Sequence, residues 1–225
     1  MLDYGFYNMD CMSGMRQFPD KFFDLAIVDP PYGLGEQNLK KNRSRGCLTV
    51  AKSYHSFAGL DNAPPTADYF KELFRVSKNQ IIWGANHFIS LMPYDSSCWI
   101  VWNKENGDTD FADCELAWTS FKSAVRLFSF RWSGMLQGDM KNKEYRIHPT
   151  QKPIALYEWL LRKYAKEGDT VLDTHVGSAS SLIACHRTQH KFVGFELDKE
   201  YYRLAKERLD AERAQMSIFD LIGTD

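Results

Sequence analysis

Short apolar runs bounded by turn residues alternate along the chain with stretches of helical spacing, and this rhythm predicts an α/β domain. Phe23-Asp24-Leu25-Ala26-Ile27-Val28 is apolar and partly β-branched, and it stops at Pro30-Pro31, which cannot donate to a sheet ladder, so it reads as a buried strand ending at Asp29. Gln80 to Gly84, Trp99 to Trp102 and Leu116 to Thr119 read as further strands, and Thr66 to Val76 carries apolar residues at helical spacing. Thr170 to Asp173 reads as a strand, Ser180 to Arg187 as the helix after it, and Phe192-Val193-Gly194-Phe195 as a strand ending at Glu196. Met12 to Phe18, a segment beginning near Ile154, and a charged stretch from about Lys199 to Arg213 read as helices. The sum is a mostly parallel central sheet with helices on both faces.

The chemistry starts at Asp29-Pro30-Pro31-Tyr32. A residue before proline is pushed to extended geometry, which holds Asp29 at a strand's carboxyl end, over the crevice where open α/β sheets bind ligands. An exocyclic amine of a nucleobase is a poor nucleophile because its lone pair is delocalised into the ring. The Asp29 carboxylate and the Pro30 carbonyl can each accept one N–H from such an amine and draw its nitrogen towards tetrahedral geometry, while the Tyr32 ring stacks on the base. Read alone, Pro-Pro-Tyr-Gly is equally an ordinary turn.

Asp29-Pro30-Pro31-Tyr32, followed by Gly33, resembles the catalytic motif of amino-methylating DNA methyltransferases, which transfer a methyl group from S-adenosylmethionine to adenine N6 or cytosine N4. Downstream, Gly177 and the small residues after it suit close backbone approach to a ligand, and Glu196 lies roughly 20 residues beyond Asp173, the spacing at which an acid meets ribose hydroxyls in nucleotide-binding units. No Gly-x-Gly-x-x-Gly is present, so the dinucleotide fingerprint is not met. The segment is similar to the family's cofactor loop and ribose-binding acid, with Ala179 where the family usually has Gly; the resemblance implies cofactor contacts from Asp173, Gly177, Ser178, Ser180, Glu196 and Leu197.

His148-Pro149-Thr150-Gln151-Lys152-Pro153 is similar to the family motif around the methionine end of the cofactor, which implies contacts from His148, Thr150, Lys152 and Pro153. In physical terms Thr150 and Lys152 offer a hydroxyl and an ammonium to a carboxylate near a helix amino end; as bland loop chemistry the segment is equally ordinary. Asn8-Met9-Asp10-Cys11 resembles the segment before the catalytic strand, implying that Asp10 and Cys11 lie by the cofactor adenine, with Asp29 bordering the same site. The other reading of Asp10 is a helix N-cap. Catalytic motif first and cofactor loop last is the circularly permuted β-class order, so the resemblance, from about Asp10 to about Leu209, implies a Rossmann-like methyltransferase fold acting most readily on adenine N6 in DNA.

At 225 residues, 44% hydrophobic and 25% charged, the chain suits one catalytic domain with a sizeable core. No run is apolar enough to span a membrane, and Met1-Leu2-Asp3-Tyr4 lacks a basic region leading into an apolar one, so a cytoplasmic protein is expected. Cys11, Cys47, Cys98, Cys114 and Cys185 form no Cys-x-x-Cys pair, which argues against a disulfide framework or zinc; His186 and His190 have a metal-compatible spacing but no third ligand nearby.

The formal net charge of −1 makes any DNA contact a local matter. Lys40, Lys41, Arg43 and Arg45, with Lys52 beyond them, fall in a stretch without periodicity and almost free of acids; it reads as a mobile loop over 34–58 that closes on phosphates, or as a solvated surface loop. The stretch 122–147, which includes Arg131, corresponds by position to the family's target-recognition region; its shortness implies relaxed recognition or a second subunit in a homodimer, and an aromatic, basic sheet edge is the other reading. In the tail 214–225, Gln215-Met216-Ser217-Ile218-Phe219 resembles the short peptides by which bacterial DNA-acting proteins bind the sliding clamp, through Gln215, Ser217, Ile218 and Phe219, or else packs on its own domain. Rival functions are cytosine-N4 methylation, amine methylation of RNA or protein, and a catalytically silent DNA-binding or clamp-associated module.

Overall fold

The computed structural model describes residues 1–34, 63–107, 112–133 and 136–222, with side chains as far as Gln215. Its elements are β1 (Gly5–Asn8), α1 (Cys11–Met15), β2 (Phe23–Val28), α2 (Ala67–Val76), β3 (Ser77–Trp83), β4 (Trp99–Asn103), β5 (Cys114–Thr119), β6 (Arg126–Ser129), β7 (Trp132–Ser133), β8 (Leu136–Gln137), α3 (Ile154–Tyr164), β9 (Thr170–Asp173), α4 (Ser180–Arg187), β10 (Lys191–Glu196) and α5 (Lys199–Ile222). Among the described residues eight strands form one sheet in the order β1-β10-β9-β2-β3-β5-β4-β6, and β7 and β8 pair as a small hairpin. β5 runs antiparallel to both its neighbours, whereas the other pairings of the large sheet are parallel.

Two apolar layers follow from the alternation of side chains along the strands. Leu25, Ile27, Val171 and Trp83 face a layer built from α3, α4 and the middle of α5, whereas Ala26, Val28, Leu172, Val193 and Phe195 face α1 and α2. Burial on both faces explains why β2 and β9 read as continuous apolar runs rather than alternating ones. α2 begins at Thr66, whose hydroxyl accepts the Tyr69 N–H at 3.4 Å, and buries Tyr69, Phe70, Leu73 and Val76 along one stripe. Near its end Arg75 donates to Asp20, to the Phe18 carbonyl and to the Met15 carbonyl, tying the turn after α1 to the α2 carboxyl end.

The chain leaves β9 through α4 to reach β10 on one side, and leaves β2 through α2 to reach β3 on the other. The order therefore reverses between β9 and β2, and the crevice outside their carboxyl ends is the expected ligand position in an open α/β sheet.

Several elements depart from the sequence expectations. β1 is an unexpected edge strand beside β10. α1 ends at Met15 rather than Phe18, with Asp10 as its N-cap. α5 continues past Arg213 to Ile222, so the backbone of 215–219 is helical rather than a separate tail; the side chains from 216 onward lie outside the described ones. β6, within the stretch expected to recognise the target, is the edge strand of the large sheet. The basic loop with Lys40, Lys41, Arg43, Arg45 and Lys52 lies outside the described residues. No helix among the described residues is long and apolar enough to cross a membrane.

Candidate active site

Asp29 follows the last residue of β2 and, by the alternation that sends Leu25 and Ile27 towards α3, its carboxylate turns to the same side. There its Oδ2 accepts from Lys152 Nζ at 2.5 Å and its Oδ1 accepts from the Tyr32 hydroxyl at 2.7 Å. Lys152 also donates to Tyr32 Oη at 3.3 Å and makes an ion pair with Glu115 Oε2 at 2.9 Å. Glu115 Oε1 lies 2.5 Å from Lys104 Nζ. Only 3% of the Lys152 side chain is exposed, against 16% and 22% for its two carboxylate partners, so the ammonium is the buried centre of the cluster. Burial pushes the Asp29 carboxyl up, against the pull of Lys152. Glu115 also pays for burial, but with two ammonium groups beside it its carboxyl is held down at about 2.

The Tyr32 ring lies nearly parallel to His87, with centroids 5.0 Å apart and planes 16° apart. His87 sits in a short 3-10 turn after β3, entered through Gly84 at φ +68. A Cβ at Gly84 would come within 2.0 Å of Tyr32 Cε1, so glycine is required there both for the left-handed backbone and for the place of the ring.

Beside this cluster the ends of β9, β10 and β1 bring the expected cofactor residues together. Asp173 accepts from the Ser181 hydroxyl in a very short hydrogen bond and from the His175 N–H at 3.0 Å, and burial raises its carboxyl to about 7. Glu196 at the end of β10 accepts from the Gly177 N–H at 2.8 Å and the Asp198 N–H at 2.9 Å, so the acid and the glycine turn are directly joined. The adjoining Leu197 side chain is exposed. Asp10 accepts from Ser13 N–H and hydroxyl, both at 2.8 Å, as the N-cap of α1. Both Asp10 and Glu196 act on the Cys11 thiol, which burial chiefly raises to about 12. Ala179 takes the left-handed conformation (φ +63), and its methyl group is buried in the core.

The segment before α3 differs from expectation. Lys152 points to Asp29 and Glu115, not to the amino end of α3. That helix end is filled from within the chain: Glu144 Oε1 accepts the Ile154 N–H at 2.8 Å, following Pro153 as N-cap. Glu144 is also paired with Arg208 of α5 at 2.5 Å, and Arg208 donates to the Ser178 carbonyl and the Ser180 hydroxyl at 2.7 and 2.9 Å. Ser178 and Ser180 are thus tied to each other and to Arg208. The His148 ring packs edge-on against Tyr201 and 3.6 Å from where a Gly177 Cβ would lie, and its Nδ1 is 3.1 Å from the Thr150 hydroxyl. Burial pushes the His148 imidazole down to about 4. Arg131 is exposed and donates at 3.1 Å to the carbonyl of Glu105, next in the chain to Lys104.

Glu115 and Lys104 went unread in the sequence. A charged residue immediately before the apolar run Leu116-Ala117-Trp118 was the available signal, but the pairing with Lys152 depends on β5 entering the sheet in reverse.

An acid-proline-proline-tyrosine turn at the switch point of this sheet, its acid held by a buried lysine beside a glycine-turn crevice, defines a protein of the amino-methyltransferase class. The chain belongs to the DNA methylase (N6/N4) family, whose sequence profile matches residues 90–207, just over half of it. It is similar to the type II methyltransferase M.HpaI of Haemophilus parainfluenzae, 46% identical over 71 residues that make up 32% of this chain and 23% of that one. It is also similar to the type II methyltransferase M2.DpnII of Streptococcus pneumoniae, 40% identical over 81 residues, 36% of this chain and 30% of that protein. The chain thus spans 23% to 30% of the length of these curated relatives. The fold is also that of M1.HpyAVI in its SAM complex, with TM-score 0.55 and 22% identity, covering 90% of this chain and 98% of that one.

Proposed function

We propose that the protein transfers a methyl group from S-adenosylmethionine to an exocyclic amine in DNA, with adenine N6 as the acceptor. The observation that carries this reading is the Asp29 carboxylate, held by Lys152 and Tyr32 at the carboxyl end of β2 beside the crevice of Asp173, Gly177 and Glu196. The crevice residues fit the cofactor: Glu196 and Asp10 are acids at the ends of adjacent strands, suited to ribose hydroxyls and the adenine amine, and the Gly177 turn is held directly to Glu196. Bound there, the cofactor supplies an electrophilic methyl group on a sulfonium. With Glu144 already at the amino end of α3, the methionine carboxylate is assigned to the backbone and hydroxyl of Thr150 rather than to Lys152.

The amine of a paired base is out of reach inside the duplex, so the target nucleotide swings out of the stack. Asp29 and the Pro30 carbonyl accept the two N–H bonds, and the Tyr32 ring, now stacked with His87, provides the platform for the base. The amine nitrogen gains the methyl group as the carbon–sulfur bond breaks, and its surplus proton leaves to water. DNA contact is assigned to the basic loop of Lys40, Lys41, Arg43, Arg45 and Lys52 and to Arg131, which makes binding salt-dependent.

Nucleoside mass spectrometry of DNA treated with the protein and S-adenosylmethionine tests the reading, beside Asp29→Ala. N6-methyldeoxyadenosine absent from the Asp29→Ala reaction is the expected result. N4-methyldeoxycytidine would keep the chemistry and change the base, and no methylated nucleoside would overturn the reading.

A further inference from the structure

A lysine hydrogen-bonded to the carboxylate that must accept a substrate amine is a liability unless something takes up its charge. Lys152 is such a lysine, at 2.5 Å from Asp29 Oδ2 and almost wholly buried. The four side chains form an alternating line, Asp29, Lys152, Glu115 and Lys104, joined at 2.5, 2.9 and 2.5 Å. With Glu115 in place the line is neutral. Without it, a net positive charge would stand beside a nitrogen that itself becomes positive as the methyl group arrives, in surroundings poor in water.

We infer that Glu115 is a positioning residue for methyl transfer: it holds the Lys152 ammonium between two carboxylates, so that Asp29 is oriented by Lys152 while keeping its strength as an acceptor for the substrate amine. The role rests on the methyl-transfer reading above. It depends on the reversed strand β5, which brings its amino end, and Glu115 with it, to the edge where the other strands of the large sheet end. Lys104, just past β4, holds the outer oxygen of Glu115 and closes the line.

The titratable groups acting on Asp29 come from every side. Lys152 precedes α3, Tyr157 lies on α3, Glu115 on β5, Tyr69 on α2, Asp173 at the end of β9, and Tyr32 in its own turn. Glu115 is a negative charge that raises the Asp29 carboxyl, and Lys152 is the positive one that lowers it.

The test measures two things on the parent, Glu115→Gln and Lys104→Met: the Asp29 carboxyl titration by carbon-13 NMR in the protein alone, and the pH profile of kcat for methyl transfer to DNA. In Glu115→Gln the Asp29 titration and the acid limb of kcat should move to lower pH, kcat should fall about tenfold or more, and KM for the cofactor should stay unchanged. Lys104→Met, which removes a positive charge from the line, should move both in the opposite direction. Glu115→Asp should restore most of kcat. A Glu115→Gln protein that loses thermal stability while the Asp29 titration and the kcat profile stay put would show a merely structural residue. If Glu115→Gln does not fold, an unmoved profile in Lys104→Met overturns the role by itself. If the parent methylates no base at all, the methyl-transfer reading falls and takes the positioning role with it, even should Asp29 titrate as expected.

Discussion

Tyr32 owes its position to a residue with no side chain. Its ring fills the space a Gly84 Cβ would need, stacks with His87 and sends its hydroxyl to Asp29. Gly84→Ala should therefore cost twice over: about 1 kcal/mol for a side chain at positive φ, and a displaced ring. A shift of that kind at the reacting centre is worth about a hundredfold in rate, so kcat should drop by about that much while the melting temperature falls modestly. A variant with parental kcat and a lowered melting temperature would show that the ring does not need this seat. Ala179 is the counterexample: a non-glycine in the left-handed region is tolerated because its methyl group is buried in the core.

At the scale of elements, Arg208 of α5 is the clamp between the cofactor turn and the segment leading into α3. It meets Glu144, the Ser178 carbonyl and the Ser180 hydroxyl, and Glu144 in turn caps the α3 amino end. Burial pushes the Glu144 carboxyl up, so removing its guanidinium leaves a poorly solvated acid. Arg208→Met should destabilise by about 3 kcal/mol in urea unfolding, and Glu144→Gln added to it should recover part of that loss. Strictly additive losses would mean the two do not act as a pair. The elements themselves were unevenly legible. β9, α4 and the end of β2 were readable at the residue level because continuous apolar runs met strong punctuation at Pro30 and around Gly177. β1 is a four-residue edge strand with little buried surface, and it gave no period to detect. The direction of β5 leaves no mark on its own hydrophobic pattern, so the meeting of Glu115 with Lys152 was invisible; the Asp29 turn and the Gly177 turn, whose chemistry is local, were not.

Over the whole molecule, burial of titratable groups around the crevice sets how stability responds to acid. His148 and His175 are each held down at about 4 by burial, so the unfolded chain takes up their protons below its ordinary histidine range while the folded chain does not. The stability they contribute is full above about pH 6.5 and drains as pH falls through about 4. Asp173, raised to about 7, has the opposite sign: its contribution is full below the usual carboxylate range and is lost as pH rises through about 7. Asp173→Asn removes the opposing contribution, so the variant should lose stability on acidification more steeply than the parent, by up to about 1.4 kcal/mol per pH unit between about pH 7 and pH 4. Unfolding curves that run parallel across that range would show Asp173 to be ionised in the folded protein.

The reversed strand also makes the two rims of the sheet unequal as places to splice in foreign sequence. The turn from Lys166 to Asp169 lies on the rim away from the crevice, is closed by its own hydrogen bonds, and has open space around Gly168. A reporter or linker added there meets nothing the chemistry uses. The connection from β4 to β5 has Lys104 and Glu115 at its two feet. Lengthening that connection would pull on the charges that set the strength of Asp29, so a fusion there would act as a brake on the reaction.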